Sequence, residues 1–316
     1  MNRRELLVAG AALALAPRAL AATRGGTPIG LVTADLESRL VAVDLATGAV
    51  VRHIPTHAFP RSIETVGNDA VVAHSDIGVV SIVDGARLRV RHTIGGFGEP
   101  RYTAAHPDLR HAYVTDAARG EVVALDVARG RVLGRARVGP LARHVSIDPT
   151  SASQLWVALG PKAAELAVVD VTSPGRPRLL DRFRPPFLAH DVGFAGDAGH
   201  VWVSSGDRDE LAVYRPDGTL LARPAGDWPP QHVTFFGGFA YVASGWSGTL
   251  NVHHVDGRHI SRTVVPVGSY NVQWGAGRVL TPGLGTGTLT ILDDRGRITA
   301  ELRVARSSHD AAVVVV

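Results

Sequence analysis

Four histidines and three arginines fall at equivalent points of a recurring unit in this sequence, and they set out what chemistry the chain could do. One position reads Arg61, Arg101, Arg143, His190, Gln231, Tyr270 and His309; the next reads Ser62, Tyr102, His144, Asp191, His232, Asn271 and Asp310. None of the fourteen is aliphatic and four are histidine, where 14 histidines in 316 residues would place fewer than one by chance. His-Asp occurs at 190–191 and again at 309–310. Three chemistries follow. Neutral imidazoles with nearby carboxylates make a hard-to-borderline metal site, so His144, His190, His232 and His309 are candidate ligands for a transition metal such as Zn, Fe, Cu or Ni. Asp191 and Asp310 would then orient histidines. Consecutive strand residues face opposite sides, which assigns Asp191 to a histidine on a neighbouring strand rather than to His190. Arg61, Arg101 and Arg143 could clamp a carboxylate or phosphate. The same four histidines are the candidates for general acid–base catalysis. No nucleophile–base pair can be assigned. The plainer alternative is that these are polar loop entries, exposed or bonded to their neighbours.

The elements that must position these residues are short strands. One unit reads HAYVTDAARGEVVALDVARGRVLGRARVGPLARHVSIDP: four runs rich in Val, Leu, Ile and Tyr, separated by Gly, Pro and Asp turns. The YVTD position returns as IGLVTAD, AVVAHSD, LWVALG, VWVSSGD, AYVASG and VLTPG, giving seven copies. Their spacing of about 42 residues is that of a four-stranded propeller blade. No segment sustains helical periodicity, and parallel strands would need crossovers for which there is no room. The fold class is all-β: a seven-bladed β-propeller of four-stranded blades occupying residues 22–316. The two aligned positions then enter the innermost strand of each blade, around the mouth of the central channel, where concave polar sites bind ligands.

Tyr113-Val114-Thr115-Asp116 and Tyr241-Val242-Ala243-Ser244 carry a resemblance to the YVTN-repeat, YncE-like β-propeller family, and it spans the whole repeat region. The repeats are also similar to the propeller that carries haem d1 in nitrite reductases. The resemblance implies architecture. It leaves function open, since such propellers include binding proteins, lyases, lactonase-like enzymes and cofactor proteins.

The first copy starts at Pro28–Ala34 with its second strand, so it lacks an innermost one. The tail HDAAVVVV aligns with HDVGFA at 190–195, so the C-terminal strand closes the first blade. Four buried valines there could contribute on the order of 6–12 kcal/mol, an upper bound because unfolded chains already bury some apolar surface.

At the other end, MNRRELLVAGAALALAPRALAA has a basic start, an apolar run of residues 6–16 and Ala19-Leu20-Ala21 as a cleavage site. Residues 1–21 read as a signal peptide. Arg3-Arg4 followed by Glu5-Leu6-Leu7 makes it twin-arginine-like and the location periplasmic or secreted, and the apolar run is too short to span a bilayer. There are no cysteines, hence no disulfides or thiolate ligands. The formal charge of +4 is spread without a basic stripe, so nucleic acid is not an expected partner. The chain reads as an exported monomer that binds a small anionic ligand or an envelope protein at a His/Arg-lined mouth. The alternative is a lyase, a hydrolase, or a metal- or haem-type cofactor protein using the mouth histidines.

Several motifs invite a stronger reading than they support. GLGTGT at 283–288 lacks the lysine and helix of a phosphate loop, and SGWSG at 244–248 misses the nucleophile-elbow pattern by one residue. DRDE at 207–210 lacks calcium-loop spacing, and the rings of His253-His254 face opposite sides of a strand.

Overall fold

The computed structural model describes residues 26–196 and 199–316, so the signal peptide proposed for residues 1–21 lies outside the described residues. Strands form wherever the sequence predicts them, and the burial pattern of each reports its depth in a blade. His111–Asp116 (HAYVTD) is almost wholly buried, as a strand covered on both faces must be. Arg89–Ile94 (RVRHTI) alternates exposed with covered residues and lies at the outer edge of its blade. Seven four-stranded antiparallel sheets result. Each pair of neighbouring blades shares one apolar cluster, seven in all among the described residues.

The ring closes through the tail. Ala311–Val315 pairs antiparallel with Pro28–Ala34, in the register Val32 with Ala311 through Pro28 with Val315. Ala312 and Val314 pack into the cluster shared with the second blade, and Ala311 and Val313 into the one shared with the seventh. The second blade also grips the tail by hydrogen bonds. The Asn68 amide donates to Val315 O at 2.8 Å and accepts from Val315 N at 2.8 Å, and Thr65 Oγ1 donates to Val313 O at 2.9 Å. Of the four terminal valines only Val314 is fully buried, while Val316 is 42% exposed. Apolar burial by the valines is therefore smaller than the sequence suggests, and the backbone ladder and the Asn68 clamp share the closure.

At the channel mouth the inner strands depart from regular pairing. The ladder skips between Pro60 and Ser62, Pro100 and Thr103, Ala142 and Val145, and Ala189 and Val192. These bulges hold the aligned mouth residues of blades two to five, and a bulge re-aims side chains that strict alternation would send to opposite faces. A hydroxyl from the second strand of several blades supports the bulge. Thr115 Oγ1 accepts from Tyr102 N at 3.1 Å and donates to Arg143 O of the next blade. Ser204 Oγ accepts from Asp191 N at 3.0 Å and donates to Gln231 O. Thr33 does the same between Asp310 N, at 2.9 Å, and Arg61 O, at 3.4 Å.

Two outcomes are expected. Deleting residues 309–316 exposes an unpaired strand and two apolar clusters, so the truncated chain should not fold; a soluble truncation with an unchanged melting temperature would refute closure by the tail. Ser204→Ala strands a buried N–H and a buried carbonyl, and should cost about 1–3 kcal/mol in denaturant unfolding.

Candidate functional site

All fourteen mouth residues are buried or half-buried, which removes the reading of the site as a set of exposed loop entries. Three consecutive blades bring His144, His190 and His232 together, with one ring nitrogen from each within 4.8 Å of the others. Their ring centroids lie 4.6 Å apart for His144–His190, 4.8 Å for His144–His232 and 5.5 Å for His190–His232.

The environment selects a tautomer for His190, whose Nδ1–H donates to Pro161 O at 3.0 Å and whose Nε2 keeps the lone pair, while His232 Nδ1 lies 3.2 Å from Asp191 Oδ2. Asp191 lies beside the neighbouring blade's histidine, as expected from the sequence, although the bulge there breaks the strand alternation on which that expectation rested. Asp191 is itself held by Val192 N at 2.8 Å and Val233 N at 3.3 Å. His144 is 1% exposed, and neither of its ring nitrogens has a hydrogen-bond partner. Burial, then the neighbouring His190 and His232, hold its pKa well below the ordinary histidine value. Burial, then His232, lowers His190 to about 3.

His309 stands apart from the three. Asn271 Nδ2 donates to its Nδ1 at 3.2 Å and to its backbone oxygen at 2.6 Å. Burial and then Arg61 push its pKa well below the usual value. Asp310 repeats the backbone part of the Asp191 arrangement, accepting from Ala311 N at 2.8 Å and from Ile63 N of the next blade at 3.0 Å. Both aspartates therefore tie one inner strand to the next.

Tyr102 lies beside the triad, its ring centroid 4.2 Å from that of His144 and its hydroxyl 3.5 Å from His232 Nε2. Burial raises its pKa. Arg143 sits over the Tyr102 ring at 5.7 Å, and Arg101 pairs with Glu99 at 2.9 Å. Arg61 completes the arginine side of the mouth, and its Nε has no partner. Gln231 is committed to structure, its Oε1 accepting from Gly245 N at 2.9 Å. Tyr270 lies toward the rim, 5.8 Å from the exposed Trp246 ring.

An open pocket of about 350 Å³ runs along the channel from mouth residues that include Tyr102, Asp191 and His232 to Glu64, Thr234 and Gln273 further along the inner strands. Glu64 is raised to about 7 by burial and receives both Gln273 Nε2 bonds, at 3.1 and 3.2 Å. The sequence reading passed over this lower ring, although the period of two from Ser62, Asn271 and His232 leads directly to Glu64, Gln273 and Thr234. It also missed a second cluster of His106, Asp108 and His111, where one turn brings two rings onto the Asp108 carboxylate.

Chemically, His144 and His190 offer neutral nitrogen lone pairs, and a carbonyl behind His190 and a carboxylate beside His232 match the surroundings of metal-ligating histidines. An ion bound at about 2.0–2.1 Å from each nitrogen needs the rings to draw closer than they stand here.

Neither a family model nor a curated protein matches the sequence. Solved structures do match its fold. Hydrazine synthase of Kuenenia stuttgartiensis shares 15% identity over 84% of this chain and 92% of that one, with a TM-score of 0.73. A functionally unknown protein from Desulfotomaculum acetoxidans shares 11% over 90% of this chain and 98% of its own, with a TM-score of 0.78. The dihydro-heme d1 dehydrogenase NirN, in complex with DHE, shares 16% over 87% of this chain and 63% of that one, with a TM-score of 0.62. At these identities the likeness establishes a shared propeller fold.

The depressed histidines give the chain an acid sensitivity of known sign. An unfolded histidine takes up its proton near ~6.5, whereas His190 stays neutral down to about 3. Between those values the unfolded chain binds the extra proton, so stability falls as pH falls. His190→Gln removes one such group, and its melting temperature should drop less than the wild type's between pH 6.5 and 4. Parallel curves for the two proteins would mean that His190 titrates as an open ring.

Proposed function

We propose that this chain is an exported, YVTN-type propeller that binds a ligand at its channel mouth, and that a transition-metal ion on His144, His190 and His232 is the core of that ligand. The observation that carries the reading is His144, buried with both ring nitrogens unpartnered, with a ring nitrogen of His190 and one of His232 within 4.8 Å of it and of each other. Leaving a buried polar group unsatisfied costs about 1–3 kcal/mol, a cost that coordination would remove. Neutral imidazole donors suit Zn, Cu, Fe or Ni. The Pro161 carbonyl fixes the His190 ring, and Asp191 and Tyr102 stand beside the others.

The Asp191–His232–Tyr102 line supports the enzymatic alternative, in which His232 shuttles a proton as a lyase or hydrolase would require. The two readings part on metal. Purified from its own envelope, the protein should carry about one transition-metal ion per chain by elemental mass spectrometry. His144→Ala should lose the ion while His309→Ala retains it. A chain that is metal-free as isolated, and that takes up no Zn(II) or Cu(II) in calorimetric titration, would overturn the metal reading and leave the proton relay. An absorption spectrum of the same sample separates a bare ion from one held in a pigment.

A further inference from the structure

Beside the triad, three arginines enter the mouth from three consecutive blades, the last of which also carries His144. Arg61, Arg101 and Arg143 belong to the second, third and fourth blades and occupy the same bulge position in each. Arg101 is 8% exposed. All three Nε atoms are buried and have no hydrogen-bond partner. Neither Arg61 nor Arg143 forms an ion pair with a described residue, whereas arginines elsewhere, such as Arg91 with Asp69 and Arg262 with Asp227, do. Like charges sharing a sheltered mouth repel, and burial together with Arg143 and Arg61 lowers the pKa of Arg101. The carboxylates facing this group are Glu99, already on Arg101 at 2.9 Å, and Asp310, whose two oxygens are taken by the Ile63 and Ala311 N–H groups. Like the His144 nitrogens, these donors are placed and unused.

We propose that Arg61, Arg101 and Arg143 form an anion-binding subsite for a small polyanion presenting carboxylate or phosphate oxygens, lying next to the histidine triad and able to fill without a metal. Guanidinium forks match both oxyanion geometries bidentately, and each charge-assisted bond exceeds a neutral one in strength. Arg143 reaches both groups of residues, since it also lies over the Tyr102 ring that abuts His144. A ligand with an anionic arm and a metal-binding end would span the two.

The test uses the full chain stripped of metal with EDTA, titrated calorimetrically with inorganic phosphate and, separately, with succinate, against sodium chloride at matched ionic strength. Saturable binding of either anion, weakened at least tenfold in Arg61→Gln and in Arg143→Gln and unchanged in Arg137→Gln on an exposed outer strand, supports the subsite. Phosphate alone points to a phosphorylated ligand, succinate alone to a dicarboxylate. No saturable binding, or binding that survives both mouth substitutions, overturns it. Failure of both mouth variants to fold would also overturn it, because the guanidiniums would then serve the fold. His144→Ala should keep the anion, so loss of metal binding and loss of this subsite are separate results.

Discussion

The whole arrangement rests on one antiparallel ladder, between the last strand of the chain and the first. Blades of a propeller have no stable existence as separate sheets, because each buries its faces only against its neighbours. Ala311–Val315 supplies the missing inner strand of the first blade and contributes to the clusters on both sides of the seam. His309 and Asp310 lead into that strand, so the same pairing that shuts the ring also completes the mouth. Asp310 then ties the closing strand to the second blade through Ile63 N, as Asp191 ties the fifth to the sixth through Val233 N. Closure and site are therefore built from the same residues.

Within the closed ring, the mouth combines groups that burial treats in different ways. Imidazoles can shed their charge, and His144, His190 and His309 are held neutral. Guanidiniums keep theirs, and must find an anion or water. Imidazole nitrogens on blades four to six thus stand beside retained positive charge on blades two to four, with Tyr102 and Arg143 at the boundary. The hydroxyls of Thr33, Thr115 and Ser204 make this geometry rigid. Each holds the backbone of a mouth residue in its own blade and of one in the next. The Thr of YVTD, conspicuous in the sequence as part of a repeat, is in the structure the brace of the bulge.

The fold was legible because a propeller is locally encoded. Strand length, turn residues and a regular repeat follow from near neighbours in the chain, and a tail that reads like the other inner strands had one place to go. The two aligned mouth positions were legible for the same reason, since equivalent repeat positions face the same axis. The lower ring of Glu64, Thr234 and Gln273 was equally available and was passed over. The valine tail falls below its upper bound because alternation leaves Val313 and Val315 half-buried, and Val316 is exposed.

By itself, then, the sequence determined an all-β ring of seven blades, its closing strand, and the residue types presented at its mouth. Only the tertiary structure decided that three of the four histidines converge while His309 turns to Asn271, that Asp191 lies beside His232, and that the Gln231 side-chain oxygen accepts from Gly245 N. The physical reason is range. Which way a residue faces depends on the strand that carries it. Which nitrogen lies near which depends on bulges, rotamers and donors from blades dozens of residues away, and nothing in local sequence records those distances.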